Sequence, residues 1–244
     1  MKALLSFFTV LPVRGTSLQG AAREIHLLPL VGLITGLPGA LLLLAANVVP
    51  PGVAATLALG AVLLAAGLHH ADGVLDVGDA LMIHGSPDRR RDVLHDTRVG
   101  IGGLGALFVV YAPTVGALGA LCATAPGRAA LVLFAGEVAA RSAMLLMLAF
   151  GEPVDRRSSS VPFVRALSGP RRTPGIVVAV LAPLPFLLAT GVLLAPLAIL
   201  AVPLVALGAL KLAAARFGGI GGDVVGATGE ASRAVLLVLL SASM

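Results

Sequence analysis

Long apolar runs restrict what this chain can fold into. They fall at about 27–48, 53–68, 99–123, 128–150, 174–194, 196–215 and 234–244. A helix crossing the ~30 Å hydrocarbon core needs ~20 apolar residues, and its backbone must satisfy its own hydrogen bonds. The first six runs approach or exceed that length, and the last is short. Only 12% of residues are charged and 58% are hydrophobic, with a mean hydropathy of +1.02. A soluble domain carries about twice that charge (~25%), and disorder requires low hydrophobicity. The sequence therefore predicts an all-α, polytopic integral membrane bundle of about seven transmembrane helices. Residues 1–244 are expected to form a single membrane domain.

The connections alternate in character. Those at 49–52, 124–127 and near 195 are short and almost uncharged, whereas 1–26, 69–98, 151–173 and 211–233 are long and charged. With seven spans, the charged segments share one side. They hold fifteen of the seventeen Lys and Arg, the exceptions being Arg128 and Arg141. The positive-inside rule makes that side cytoplasmic, N-terminus included. The net charge of +5 is then a topology signal. Nucleic acid is not expected as a partner, because no aromatic residues interleave the basic ones. The expectation is a multi-pass protein of the cell membrane with its site on the cytoplasmic face. Cys122 has no second cysteine to pair with. Residues 3–11, after Lys2, read as an interfacial segment rather than a signal peptide, and Lys211 and Arg216 as snorkelling anchors.

Six of the eight Asp lie between 72 and 96, together with His84 and His95, and His69 and His70 precede them. Asp72, Asp76 and Asp79 recur at i, i+4, i+7 and share one helical face. Ser86 and Pro87 read as the cap and first residue of a second helix, on which Asp88, Asp92 and Asp96 would form a stripe beside Arg91, His95 and Arg98. The second span would continue to about residue 83. A helix over 53–83 is about 46 Å long at 1.5 Å per residue, which carries the carboxylates to the interface as an acidic hairpin between spans 2 and 3. Like charges at this spacing repel. Mg²⁺ resolves the conflict, since it takes oxygen ligands and fills its shell with water and substrate phosphates. A solvated hairpin with Asp–Arg pairs accounts for Asp88 and Asp92 but poorly for Asp72, Asp76 and Asp79, because no Lys or Arg occurs from 67 to 88. A proton or cation relay is a third reading.

The two Asp stripes are partly similar to CDP-alcohol phosphotransferases, although the Ala-Arg pair of that motif is missing. A fuller likeness spans the chain. Gly67, His70, Asp72, Gly73, Asp76 and Asp79, followed by His95-Asp96-Thr97-Arg98-Val99-Gly100 and Gly103, resemble the cobalamin synthase family, the adenosylcobinamide-GDP ribazoletransferases. Phe7 to Val13, Pro29 to Gly32 and Gly218 to Glu230 resemble further elements of that family, with departures at Val10, Ala80, Gly221 and Gly229. The resemblance implies a membrane catalytic domain that uses Mg²⁺ to join adenosylcobinamide-GDP to α-ribazole or its 5′-phosphate, releasing GMP. The 5′-hydroxyl of α-ribazole, or the 5′-phosphorylated acceptor, would attack the cobinamide-side phosphorus. Asp72, Asp76, Asp79 and Asp96 would hold the metal, and Asp76 or Asp92 would accept the proton. Arg98 and Arg141 would stabilise charge. His70, Gly73, His95, Arg165, Gly222, Asp223 and Glu230 would bind substrate.

Glu137 and Arg141 lie inside the fourth span at i, i+4. They read equally as an internal ion pair or as part of a phosphate site. A transporter stays open as an alternative, although the other spans offer few polar residues. The bilayer is the expected surrounding, and a homo-oligomer is compatible with it.

Overall fold

Prolines set the starts of many helices, where a missing N–H costs nothing. The computed structural model describes residues 1–13, 17–96, 98–192 and 195–242. Short helices α1 (Lys2–Phe8) and α2 (Leu18–Arg23) precede α3 (Leu28–Leu44), α4 (Pro51–Ala65), α5 (His69–Met82) and α6 (Pro87–Leu94). The long α7 (Ile101–Thr124) and α8 (Pro126–Phe150) follow, then α9 (Val161–Ala166), α10 (Arg172–Leu181) and α11 (Leu184–Ala189). The chain ends with α12 (Ala195–Ala198), α13 (Ala201–Phe217) and α14 (Gly222–Ala242).

Six helical stretches are long and apolar enough to cross a membrane, and α4 with α5 makes a seventh if a bent pair counts as one span. Helix α8 is the axis, with nearly every residue from Ala129 to Leu148 buried. Its main partners are α3 and α14, with α10, α13 and α11 completing the ring. Outward faces carry exposed Leu, Val and Phe, such as Leu41, Phe108 and Leu204. In water such a surface would aggregate; in lipid it is solvated.

Two expectations are corrected. The helix expected to run unbroken over 53–83 breaks at Ala66–Leu68, and α5 turns 96° away from α4. Gly67 (φ 74°) and Leu68 (φ 61°) take left-handed conformations there. The freed Ala65 carbonyl accepts the Val10 N–H at 3.0 Å, so the N-terminal segment docks at the break. The last apolar run, short at 234–244 and open to an earlier start, belongs to the longer helix Gly222–Ala242. Glu230 and Arg233 inside it hid it from hydropathy. Both are buried and paired, so Arg233 is not a loop charge and the preceding connection shrinks to 218–221.

Glycines bring these helices close. A Cβ at Gly32 on α3 would fall 2.6 Å from the Glu137 carbonyl oxygen of α8, whereas one at Gly60 on α4 would meet nothing within 4 Å. Gly32→Ala should therefore lower stability by about 1–3 kcal/mol through overpacking. Thermal melts in detergent check this: Gly32→Ala melts lower than the parent chain, and Gly60→Ala does not.

Candidate active site

The starts of α7 and α14 and the ends of α8 and α13 meet at one end of the bundle, and α5 lies across them. Gly73 and Gly226 permit this. A Cβ at Gly73 would stand 2.6 Å from the Asp223 carbonyl oxygen, and one at Gly226 would stand 3.1 Å from the His70 ring. The inner face of α5 is thus pressed onto α14, and the acidic face turns outward. Asp72, Asp76 and Asp79 line one cleft of about 320 Å³ with His95, Asp96 and Arg98. Asp72 is exposed, and Asp76 and Asp79 are half-buried. The negative charges of Asp72, Asp223 and Asp79 all act on Asp76.

The four carboxylates differ in what already occupies them. Asp79 accepts the Gly100 N–H at 2.7 Å through Oδ2 and the Gly103 N–H at 2.8 Å through Oδ1. It is therefore the N-terminal cap of α7, supplied from another helix. Asp96 receives the Arg98 guanidinium at 2.7 and 3.0 Å and the Arg98 backbone N–H at 3.1 Å. These contacts hold its carboxyl down at about 2. Asp72 and Asp76 have no arginine paired to them among the described residues. No three His, Cys, Asp or Glu side chains converge as a ready-made ligand set among the described residues.

The hairpin itself is built from its arginines. Ser86 caps α6 by accepting the Arg89 N–H at 3.4 Å. Buried Arg90 donates to the Ala80 and Leu81 carbonyls at 3.0 and 3.1 Å, closing the C-terminus of α5. Arg91 pairs with Asp88 and donates to the Phe217 carbonyl at 2.8 Å, closing α13. Helix α6 ends at Leu94, so Asp96 leaves the helical stripe expected for it and sits in the loop before α7. Asp92 is exposed on α6 and lines none of the clefts described here. Thr97 lies outside the described residues.

A second cleft of about 470 Å³ adjoins the first through Leu94 and His95 and reaches Arg91, Arg157, Ser158, Gly222 and Asp223. The glycine-rich turn forms its wall. Gly218 has φ 77° and Gly219 φ 158°, and Ile220 exchanges backbone hydrogen bonds with Glu152 (2.8 Å) and Val154 (3.0 Å). Arg165 is exposed on α9 and lines none of these clefts.

Beneath the clefts lies a buried charge network. Arg233 donates to Glu137 at 2.7 Å and also pairs with Glu230. Arg141 lies 3.2 Å from Glu137 and donates to Thr35 at 3.0 Å, and Thr35 donates to Glu137 at 2.8 Å. Tyr111 donates to Glu230 at 3.0 Å. Arg141 and Glu137 have no exposed surface. Arg141 and Glu230 therefore stand behind the clefts rather than in them. His70 links the levels: it lines a third cleft, and its Nδ1 is 3.9 Å from Glu230. Sequence reasoning found the Glu137–Arg141 pair and missed Thr35, Tyr111 and Arg233. The i, i+3 spacing of Glu230 and Arg233, and a sole Tyr within a span, were the available signals.

The family model for cobalamin-5-phosphate synthase matches residues 1–241. The chain belongs to this family. It is a transferase of cobalamin biosynthesis. Among its relatives is a protein named adenosylcobinamide-GDP ribazoletransferase from Methanosarcina barkeri, 30% identical over 98% of this chain and 90% of the relative. Relatives of the same name from Pyrobaculum islandicum and Halorubrum lacusprofundi are 33% and 35% identical; the alignments cover 100% and 97% of this chain and 95% and 94% of theirs. No solved structure matches the chain.

Within this family member, the α5 carboxylates separate by measurement. Asp79→Ala removes both caps from α7 and should cost about 1–2 kcal/mol. Asp76→Ala removes a group that only repels its neighbours, so its melting temperature in detergent should equal or exceed that of the parent.

Proposed function

We propose that this enzyme joins adenosylcobinamide-GDP to α-ribazole, or to its 5′-phosphate, giving adenosylcobalamin or its 5′-phosphate and GMP. The shared name of the relatives supports the reaction. The observation that carries it to residues is the pair Asp72 and Asp76, which face a cleft with no arginine paired to either. A diphosphate substrate brings negative charge to a face that is already negative, and a divalent cation reconciles the two. Mg²⁺ uses one or two carboxylates and takes its remaining oxygens from water and substrate phosphates. Asp72 and Asp76 fit that demand. Asp79 and Asp96, already hydrogen-bonded, complete the acidic wall with their remaining lone pairs. When bound, Mg²⁺ neutralises the diphosphate and polarises its phosphorus–oxygen bonds.

The chain's own side chains position and move the proton. A ribose hydroxyl of the acceptor attacks the cobinamide-side phosphorus. The bond from that phosphorus to the bridging oxygen breaks, and GMP departs with that oxygen. An acceptor carrying a 5′-phosphate attacks only through another ribose hydroxyl, so one geometry serves both acceptors when that hydroxyl is the nucleophile. Asp76 receives its proton, being the most enclosed of the unpaired carboxylates on this face. Arg98, with an exposed guanidinium on the rim, meets charge on the transferring group. The second cleft, with Arg91, Arg157 and backbone of the glycine turn, suits the guanylate. The segregation of Lys and Arg supports a cytoplasmic orientation in the cell membrane.

The test is GMP release by purified protein in nanodiscs supplied with both substrates and Mg²⁺. GMP should appear, cease on chelation and return with added Mg²⁺. Absence of GMP under all these conditions overturns the reading. Asp72→Asn should abolish turnover while the melting temperature stays unchanged.

A further inference from the structure

Three of the eight Phe in a chain with only 4% aromatic residues gather at one spot. Ring centroids of Phe7 and Phe8 are 4.9 Å apart, Phe7 and Phe163 5.4 Å, and Phe8 and Phe163 5.9 Å. The His70 ring stands 6.3 Å from Phe8. These four rings come from α1, α9 and α5, and they line the third cleft, of about 320 Å³. Met144 and Leu148 of α8 supply the rest of an apolar lining. The cleft is not merely core. Phe7 keeps 42% of its surface exposed, while Phe8 and Phe163 are buried. His70 is buried, and its Nδ1, without a hydrogen bond, lies 3.9 Å from Glu230.

The position of this cleft decides its use. It shares Ser159, Gly222 and Asp223 with the guanylate-facing cleft. The Asp223 charge reaches Asp76. An occupant held among the rings and extending past Asp223 therefore arrives beside the acidic face. Its seated part must be flat and largely apolar, and its extending part must be polar. An acyl chain is apolar but has no planar face to stack on the rings. A nucleoside has both: a planar base that stacks on aromatic rings and a ribose that reaches outward. The volume suits a small-molecule site of apolar walls with a few polar groups.

We propose that the Phe7–Phe8–Phe163–His70 cleft seats the planar base of the acceptor nucleoside. Its ribose hydroxyl is thereby directed past Asp223 toward the phosphate carried on the α5 face. His70 offers a ring nitrogen to the edge of the base, and the phenyl rings enclose its faces. This assignment rests on the transfer reaction proposed above and names the residues that choose its acceptor.

Two measurements test it. The chain has no Trp, so Phe163→Trp creates a single indole reporter in the cleft. In nanodiscs, where acyl chains are present throughout, titration with α-ribazole should change its emission saturably, and ribose 5-phosphate should not. This readout needs no turnover. In the GMP-release assay, Phe163→Ala should raise KM for α-ribazole by ~10-fold, as expected for one stacked ring. KM for adenosylcobinamide-GDP should stay within about twofold, because that donor does not enter the aromatic cleft. An indole signal indifferent to α-ribazole, an equal response to ribose 5-phosphate, or a shift in both KM values together each overturns the assignment. If α-ribazole binds while the parent chain releases no GMP, the transfer reaction fails and the base site stands.

Discussion

A carboxylate with no access to water has to be neutralised where it stands, and Glu137 is such a group. Desolvating each ion costs several kcal/mol, and partners offset that only with good geometry. Glu137 takes Thr35 from α3, Arg141 from its own helix and Arg233 from α14. Arg233 carries the demand on to Glu230, which draws Tyr111 from α7. Four helices are thus tied by directional contacts inside a bundle whose core is otherwise mainly apolar. In lipid, apolar packing alone specifies helix register weakly, since tails are as apolar as leucine. The position of α14 follows from this network. The position of α5 follows from α14, through the close approaches at Gly73 and Gly226.

The spans were legible because their signal is additive: ~20 apolar residues announce themselves whatever their neighbours. The two failures share a cause. Hydropathy treats each charge as a cost, so the first half of α14 read as a connection, although Arg233 there is offset by Glu230 of the same helix and by Glu137 from a helix far away in sequence. The break at Ala66–Leu68 likewise depends on what α5 packs against, which no local pattern contains. Gly67 was a visible hint, but membrane helices tolerate glycine.

The site was legible by residue type and only partly by role. The i, i+4, i+7 spacing of Asp72, Asp76 and Asp79 does bring them to one cleft. It does not reveal that Asp79 also holds the start of α7, because that depends on where Gly100 and Gly103 lie in space. Phe7 and Phe8 stood in an N-terminal segment that resembled the family's, yet read in isolation they were an interfacial anchor. Their partner Phe163 is more than 150 residues away in the chain, and nothing local links the two.

The arginines of the hairpin explain why an acidic face survives beside so much positive charge. Arg90 closes the carbonyl end of α5, Arg91 that of α13, and Arg98 holds Asp96. Cations at helix C-termini interact favourably with the helix dipole, so these side chains are stabilised away from the α5 face. Any of them swung onto Asp72 or Asp76 would leave a carbonyl or carboxylate unsatisfied. An arginine-paired carboxylate also competes poorly for a metal, because its lone pairs are already directed at donors. Repulsion along α5 therefore persists in the folded chain, opposed at one end by Arg90 and on its flank by the Asp79 contacts to α7. A helix held this way keeps two carboxylates turned outward with no counter-charge of their own. That is the condition under which a diphosphate with its cation binds more tightly than either would alone.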